Sequence, residues 1–524
     1  MKYLFKKKVA ALFMAVLMVI SGCASNSTSS NGNDVSEDDT LKVEVTTAPV
    51  GLHPLKTNDA PSTTVSAQIF ETLYFRTYEG TEYEPLLAES LPEFSEDGLT
   101  ATIKLKKGVT FQNGDPFTAS CVGYMIDSLK DENYGSLRPS IVESIDSYEI
   151  QDDYTIVLHL AYEDGVLVAK LAHTNASIIN PELDKSQDLL IDPTGAGTGP
   201  YVYVSSTTGS TYSLKANENY WGGKPEIENV VFDVVADGAT AVSRLQTGEA
   251  DLYMSLNADN FATASAIPGY TAVNTPTSSI YYLAFRSHAE SAINPLMENI
   301  DFRKALIKGI DVKTYVETML NDTASYSASI VGPTLAGYSE AMEKAGITYD
   351  KDEAKSIIDA NGWSGETVTL LTSTRDWQQN LAVYIQASLK EIGINVEIVS
   401  EEWASFLADA KLADSCDFTI LTWSNVTGDG QQMLEPNFST KNGLRVLYNN
   451  AEFDGYVDAS AKTTVLEERQ AAMLNAVNKI QGDAIVTPLY SANALYVYNS
   501  DKFSNVNLDK GQLFYAKDIT VVGK

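Results

Sequence analysis

The chain has 524 residues, enough for about three domains of ordinary size, and a globular composition with 44% hydrophobic and 20% charged residues. Its formal net charge is −32. Nucleic acids and anionic lipid surfaces bind proteins through basic patches, so this charge argues against both as partners. The acidic residues are scattered along the chain, which is typical of a solvated surface.

The N-terminus has the pattern of an export signal. Lysines in "MKYLFKKK" precede the apolar run Val9 to Ile20, which is too short to span a bilayer. The run ends in "ISGC", which resembles the lipobox of bacterial lipoproteins. We therefore expect residues 1–22 to be removed and Cys23 to carry the lipid that anchors the protein outside the cytoplasmic membrane. An ordinary signal peptide with an incidental cysteine is the alternative. Residues 23–40, rich in Ser, Asn and Asp, predict a flexible tether.

The two other cysteines, Cys121 and Cys416, lie far apart and outside any CxxC motif or Cys/His cluster. Lone cysteines of this kind are more often small buried hydrophobes than disulfide partners or nucleophiles. We expect both thiols to be buried and unbonded.

Ordered structure is predicted to begin at the alternating stretch Leu41 to Thr47. The stretches "TATIKLKKGVTFQNGDPF" and "YTIVLHL" then indicate meandering strands of an additional subdomain. A first strand–helix–strand run follows. Val230 to Val235 is a strand, "GATAVSRLQTGEAD" is a helix with Gly248 as its C-terminal cap, and "DLYMSL" is the next strand.

A second run of the same kind is clearer. Thr367 to Thr372 is a strand, and Leu381 to Ile392 has apolar residues at helical spacing until Gly393 stops the helix. "INVEIVS", "WASFLADAKLA" and "DFTILTW" continue as strand, helix and strand. Such alternation implies parallel sheets covered by helices. Because the two runs lie more than 100 residues apart in the sequence, we predict two α/β lobes.

The polar, glycine-bearing stretch "WSNVTGDGQQ", Trp423 to Gln432, directly follows the last of these strands. Ligands of open parallel sheets bind beyond the carboxyl ends of the strands. The stretch is therefore predicted to be a ligand loop. It lacks the alternating acids of a calcium loop.

Catalytic and metal chemistry find little support. The four histidines are not spaced from one another, or from cysteines, as in a compact zinc motif, although His53 in "GLHPL" could face a cleft. "GAGTGPY" is followed by a strand instead of the helix that a phosphate cradle needs, and predicts a structural turn. We predict no enzyme, no cofactor and no metal, although a triad assembled only by the fold stays an open alternative.

Several stretches together resemble the family 5 extracellular solute-binding proteins, the dipeptide-, oligopeptide- and nickel-binding components of ABC importers. They are "EPLLAESLPEFSEDGLTATIKLKKGVTFQNGDPFTA", "GTGPYVY", "LKANENYWGGKPEIENVVFDVVADGATAVSRLQTGEADL", "FRKALIKGID" and "QASLKEIGINVEI". The resemblance runs from about Leu41 to the C-terminus. It departs from the family at Cys121, where an aspartate is usual; we expect this to affect local packing only.

The resemblance implies an α/β, two-lobed periplasmic-binding-protein-like fold (type II, cluster C) with an extra inserted subdomain. Lobe I would combine residues 41–57, 192–276 and 492–524. The extra subdomain would be 58–191, and lobe II would be 277–491. Ligand would bind between the lobes, which close by hinge motion and then dock on the membrane permease. A monomer is expected.

In peptide-binding relatives, the equivalent of "WSNVTGDGQQ" carries an aspartate that pairs with the peptide α-ammonium, in patterns resembling "GWTGDNGDP". Matching the tryptophans puts Val426 at that position and aligns Asp429 with the second acid. Either Asp429 takes the role through a different loop shape, or the ligand has no buried free amine there. Trp423 could stack on the ligand or wall the pocket. Ser424, Asn425 and Thr427 complete the candidate loop.

Further candidates come from the same resemblance. Arg375 in "TSTRDW" follows a strand where dipeptide-binding relatives have an arginine for the peptide carboxylate. Arg445 in "GLRVLYNN", and Tyr281 and Tyr282 in "SIYYLAF" beside the predicted hinge, are weaker candidates. The leading hypothesis is peptide capture. The alternatives are a nickel–metallophore or an oligosaccharide on the same fold and, more remotely, a secreted hydrolase.

Overall fold

A computed structural model describes residues 39–288, 292–425, 427–441 and 446–523. The predicted signal peptide, Cys23, Val426 and Arg445 lie outside these residues. In the parts of the chain that the structure describes, no helix has the length and apolar character needed to cross a membrane.

The strands and helices within these ranges alternate along most of the chain. The strands are β1 (Thr40–Val45), β2 (Tyr74–Arg76), β3 (Tyr83–Pro85), β4 (Glu93–Phe94), β5 (Thr100–Lys104), β6 (Ile145–Asp152), β7 (Thr155–Leu160), β8 (Tyr201–Thr207), β9 (Thr211–Ala216), β10 (Asn229–Val234), β11 (Leu252–Tyr253), β12 (Tyr270–Phe285), β13 (Ala324–Tyr326), β14 (Thr367–Ser373), β15 (Asn395–Glu401), β16 (Phe418–Ser424), β17 (Val486–Asn499), β18 (Phe503–Ser504) and β19 (Thr520–Val521). The α-helices are α1 (Ala60–Ser66), α2 (Ala119–Lys130), α3 (Leu167–Leu171), α4 (Pro181–Ser186), α5 (Gly238–Thr247), α6 (Ala258–Ala264), α7 (Ile300–Lys308), α8 (Val312–Met319), α9 (Lys351–Ala360), α10 (Asp376–Glu391), α11 (Trp403–Asp409), α12 (Gln431–Phe438), α13 (Ala451–Ala461) and α14 (Leu466–Gly482).

Helix α5 shows how local sequence sets the limits of an element. It begins after Asp237, whose carboxylate accepts a hydrogen bond from the Thr240 backbone N–H at 2.8 Å. It ends at Gly248, which has a φ of 73°. This left-handed conformation is readily adopted by glycine, so the predicted cap is confirmed.

An 11-stranded sheet in the order β15-β14-β16-β12-β17-β11-β1-β10-β9-β8, with β13 also pairing to β17, forms the framework. β1 pairs in parallel with both β10 and β11, and β14 pairs in parallel with both β15 and β16. The two predicted strand–helix runs therefore form parallel groups, as expected. The long antiparallel strands β12 and β17 join the two groups into one sheet.

The register between β12 and β17 shifts where the predicted lobes meet. Pro276 pairs with Asn493, and the regular pairing resumes at Ile280 with Ser491. The irregularity interrupts the ladder on both strands at the predicted boundaries, 276/277 and 491/492. The division into lobes at these residues stays a prediction. The interrupted pairing at the same residues is a candidate for the hinge.

Alternate residues of β12 pack into different cores, because successive side chains of a strand point to opposite faces. Leu283 and Phe285 belong to the core that includes helix α10. Tyr282 and Ala284 belong to the core on the other face, which includes helix α14. The second parallel group is thus covered on both faces.

The first parallel group shares its core with the extra subdomain. Val43 and Phe232 of the main sheet belong to the same buried cluster as Ile103 and Phe117, and Phe514 joins them from the C-terminal segment. The subdomain contains an antiparallel four-stranded sheet in the order β4-β5-β7-β6, which agrees with the meandering strands expected there. Cys121 and Cys416 are buried and free, so that prediction is confirmed.

Candidate functional site

A cavity of about 850 Å³ lies where three parts of the chain meet. Its walls come from helix α1 and strand β2, from the segment between residues 169 and 177, and from the C-terminal segment between 505 and 518. Ser424 and Thr427 contribute the wall at the carboxyl end of β16. The cavity is therefore bounded by residues of all three predicted divisions of the chain.

The loop after β16 is held in shape by Asn425. Its side-chain amide donates to the Asp429 carbonyl at 2.7 Å, and its Oδ1 accepts from the Gly428 N–H at 3.0 Å and from the Thr427 hydroxyl at 2.9 Å. Asn425 is buried, while Ser424 and Thr427 reach the cavity wall. The loop predicted from sequence thus adjoins the cavity through two of its residues.

Asp429 has a partner inside the protein. Arg469 Nη2 lies 2.7 Å and 2.8 Å from its two carboxylate oxygens, and Oδ1 also accepts from the Gln431 backbone N–H at 2.9 Å. Asp429 is buried and does not line the cavity. The carboxylate considered for a peptide amine is therefore satisfied by an internal arginine, and its role toward ligand stays a prediction.

The aromatic candidates pack against other side chains of the protein. Tyr281 stacks on Tyr490 with ring centres 4.7 Å apart, and Tyr282 is buried with its ring edge against Phe438. Trp423 is half-buried and packs on the core beneath helix α14. Tyr281, Tyr282 and Trp423 therefore do not line the cavity.

Two other candidates are also engaged elsewhere. The guanidinium of Arg375 lies over the Trp403 ring, 3.5 Å from its centre. His53 is buried, and its Nε2 lies 2.9 Å from Asp184 Oδ1 and 3.1 Å from the Tyr134 hydroxyl. Neither residue lines the cavity in this structure.

Three cationic or donor side chains that the sequence interpretation missed do line it: Arg76, Arg138 and His173. Arg138 Nε donates to Asn58 Oδ1 at 3.1 Å, and burial lowers the pKa of its guanidinium. These residues lie in the extra subdomain, far in sequence from the loop that marked the site. Their short local contexts carry no motif, so only the fold brings them together.

His173 is a neutral donor. Burial, and then the positive charges of Arg138 and Arg76, lower its pKa to about 3. Its Nδ1 accepts a hydrogen bond from the Asn175 backbone N–H at 3.0 Å, so the neutral ring carries its proton on Nε2. A histidine that ligates a metal usually donates from its second nitrogen instead. This tautomer suits hydrogen bonding to an acceptor on a ligand.

Two acids of the wall are satisfied by the protein. Glu71 accepts from the Tyr220 hydroxyl at 2.6 Å and from Trp221 Nε1 at 2.8 Å, and burial raises its pKa. Asp518 accepts from the Tyr78 hydroxyl at 2.8 Å and pairs with Lys517 at 2.7 Å. Other acids on the wall are Asp59, Glu79, Glu84 and Asp509. Tyr220 and Trp221 belong to the "NENYWGGKP" stretch, which thus helps to hold the buried Glu71 beside the cavity.

Comparison with known proteins agrees with this architecture. The family of bacterial extracellular solute-binding proteins, family 5, matches residues 82–444 by its middle region. Heme-binding protein A of Haemophilus influenzae is 26% identical over 503 residues, covering 88% of this chain and 90% of the relative. Oligopeptide-binding protein AppA of Bacillus subtilis is 24% identical over 519 residues, covering 93% and 94%.

The solved structure of HbpA2 from Haemophilus parasuis superposes with a TM-score of 0.82 at 22% identity, covering 92% of this chain and 99% of that one. This likeness extends over most of the chain and shows the two-lobed, type II fold. With a family match that spans most of the chain, this protein belongs to the bacterial extracellular solute-binding proteins of family 5.

Proposed function

We propose that this protein is the substrate-binding component of an ABC importer, which captures peptides between its lobes and delivers them to a membrane permease. The main support is the cavity of about 850 Å³, which is lined by residues of both predicted lobes and of the predicted extra subdomain. Ligand sites of small molecules typically measure about 300–1,000 Å³ and combine apolar walls with a few fixed polar groups. A site of this kind needs no catalytic set, and the family is one of transport, not of enzymes.

Peptides suit the chemistry of the walls. Phe75, Tyr78 and Tyr515 form an aromatic cluster with ring centres 5.2–6.2 Å apart. Arg76, Arg138 and His173 supply donors for carbonyl or carboxylate oxygens. A peptide offers both apolar side chains and such oxygens, and the oligopeptide-binding relative supports the same choice.

Capture would proceed by hinge motion at the irregular crossing of β12 and β17. A ligand that touches both lobes stabilises the closed arrangement in proportion to its preference for that arrangement. The closed protein would then dock on the permease. This sequence of events fits a two-lobed fold in which β12 and β17 connect the two groups of parallel strands.

The deciding experiment is a screen by thermal shift and calorimetry with di- to hexapeptides, nickel–histidine, oligosaccharides and haem. A binding peptide at about 100 times its Kd stabilises the folded state by about 2.7 kcal/mol. No response to peptides of any length rejects the peptide assignment, and a response to nickel–histidine, haem or a sugar alone selects that ligand class instead. Turnover of a bound peptide would support the hydrolase alternative.

We also propose that the protein is a lipoprotein, cut after residue 22 and anchored through Cys23 by the tether 23–40. The basic, apolar and lipobox segments of the N-terminus support this. Changing Cys23→Ser is expected to move the protein from the membrane fraction to the soluble extracytoplasmic fraction. Retention of the variant at the membrane with the same stoichiometry would reject the anchor.

A further inference from the structure

Arg76 is a buried cation on the cavity wall. It is the last residue of β2, where the burial alternates so that Tyr74 and Arg76 point inward. Only 7% of its surface is exposed, yet it contributes to the lining of the cavity. A charged side chain in this position ordinarily has a carboxylate partner.

The Arg76 guanidinium has no such partner. Its Nε, Nη1 and Nη2 atoms are all buried, and none has a hydrogen-bond acceptor among the described residues. Two glycines border it. A Cβ atom built on Gly428 would lie 2.3 Å from Nη1, and one built on Gly511 would lie 3.7 Å from Nη2. The missing side chain at Gly428 leaves room for Nη1, whereas a Cβ at Gly511 would make an ordinary van der Waals contact with Nη2.

One buried acid, Asp509, lies close enough to Arg76 for their charges to interact. Asp509 interacts electrostatically with Arg76 but forms no ion pair with it among the described residues, and its Oδ1 accepts the Leu513 N–H at 2.9 Å. Burial raises the pKa of Asp509, and the Arg76 charge only partly opposes that rise. Arg138 and His173 add one positive charge and one donor nearby.

A guanidinium that has left water without gaining acceptors is unfavourable, and a carboxylate that meets it with two parallel hydrogen bonds offsets that cost. We propose that Arg76 forms a carboxylate-binding subsite of the cavity, which takes the C-terminal carboxylate or an acidic side chain of the captured peptide. The proposal rests on the proposed function. Gly428, which covers Nη1, belongs to the predicted second lobe, so opening of the hinge exposes the guanidinium to an incoming ligand.

The test uses calorimetry with matched peptides and the mature protein. One pair is tetraalanine with a free C-terminal carboxylate and its C-terminal amide; the other is Ala-Ala-Glu-Ala-amide and Ala-Ala-Gln-Ala-amide. Wild-type protein is expected to prefer the carboxylate member of at least one pair by roughly tenfold to a hundredfold. The pair that shows the preference identifies the source of the carboxylate.

In Arg76→Gln this preference is expected to disappear, whereas affinity for the matching amide changes less than about twofold. Arg76→Lys, which keeps the charge but loses the planar fork, is expected to keep part of the preference. Lys313→Gln removes one exposed positive charge in α8, away from the cavity, and serves as the charge control. The melting temperature of ligand-free Arg76→Gln is expected to equal or exceed that of wild type, because a buried, unpaired charge is gone.

The outcomes separate the two proposals. If no peptide binds wild-type protein, the proposed function is rejected. If peptides bind but neither pair shows a carboxylate preference, or Arg76→Gln keeps the preference, the subsite is rejected while peptide capture stands. A lower melting temperature of Arg76→Gln together with an unchanged preference would assign Arg76 a structural role and overturn the subsite. Should Arg76→Gln fail to fold, Arg76→Lys decides instead: a reduced carboxylate preference supports the subsite, and an unchanged preference rejects it.

Discussion

Two buried arginines contact neighbouring residues of the same loop and differ in their hydrogen bonding. Arg469 meets both oxygens of Asp429 at 2.7 Å and 2.8 Å, and its Nε donates to the Ser460 carbonyl at 3.1 Å. Arg76 packs against the preceding residue, Gly428, and has no acceptor. Both are arginines shielded from bulk water. A buried guanidinium whose donors have acceptors within the protein holds the fold together. A buried guanidinium on a cavity wall whose donors have no acceptor is available to a ligand.

The largest expected effect on stability comes from breaking the ion pair between Asp429 and Arg469. Asp429→Asn leaves Arg469 buried without its counter-charge, and removal of one partner of a buried ion pair typically costs about 3–5 kcal/mol. The free energy of unfolding, measured by urea denaturation, is expected to fall by about this amount. The double variant Asp429→Leu with Arg469→Met removes both charges and is expected to recover most of the loss.

Ligand binding distinguishes this outcome from the amine-anchor hypothesis. If the Asp429 carboxylate serves only Arg469, Asp429→Asn changes the affinities of free and N-acetylated peptides by the same factor. A loss confined to peptides with a free amine, with stability unchanged, would restore Asp429 as the anchor. The measurement is calorimetry on both peptide forms at a temperature where the variant is folded.

The Asp184 carboxylate also has all its partners within the protein, and its contribution to stability depends on pH. Burial alone would raise the pKa of Asp184, but hydrogen bonds from His53, Tyr134 and Tyr124 outweigh it and hold the pKa at about 2, below the ordinary 3.8. A depressed carboxyl pKa contributes stability above the ordinary value, and that contribution is lost as pH falls toward the folded value. Wild-type protein is therefore expected to lose about 2 kcal/mol between pH 5 and pH 2 through this group.

The control for this effect is Asp184→Asn, which cannot titrate at the same position. Its unfolding free energy is expected to be lower than that of wild type at pH 5 and to approach it near pH 2. Denaturation curves at half-unit pH intervals measure the difference. Parallel curves for the two proteins across this window would show that the Asp184 cluster contributes no pH-dependent stability.

Local sequence signals predicted several strands and helices of this protein, but not the role of Arg76. Helical spacing and strand alternation locate β14, β15 and the end of α10 closely, because those signals are local, although α10 begins at Asp376 and not at Leu381. The strand-end rule brings Ser424 and Thr427 to the cavity for the same reason. Arg76 escapes prediction because β2 is only three residues long, and because its importance depends on which acceptors are missing after folding.

Asp429 illustrates the opposite case, in which the sequence drew attention to a residue whose partner it could not show. A single acid in a polar loop suggested a ligand anchor, but Arg469 lies 40 positions away in the sequence and on another element, helix α14. No local pattern connects the two residues. Pairing of buried charges is a property of the tertiary structure, so sequence alone leaves the structural and ligand-binding roles of Asp429 undecided.

The smallest expected effect concerns the contact that holds the loop against the extra subdomain. The Tyr83 hydroxyl donates to the Thr427 carbonyl at 2.7 Å, next to the glycine that covers Arg76. Tyr83→Phe removes one hydrogen bond, worth about 0.5–1.5 kcal/mol, between residues of different predicted divisions. We expect the population of the closed arrangement to fall by about twofold to twelvefold, and peptide affinity to fall by a factor in the same range where the closed form is the minor species.

Small-angle scattering of the ligand-free protein measures this shift as a larger radius of gyration in Tyr83→Phe, while calorimetry measures the affinity. Tyr203→Phe is the matched control, since its exposed hydroxyl donates to Ser206 Oγ at 2.9 Å within predicted lobe I and bridges no predicted boundary. Equal behaviour of the two variants would show that the Tyr83 contact does not hold the lobes together. A larger radius of gyration together with faster peptide association would instead show that the loop limits access to Arg76. The Tyr83 contact holds Gly428 over the guanidinium, so loosening it would let a carboxylate reach Arg76 sooner.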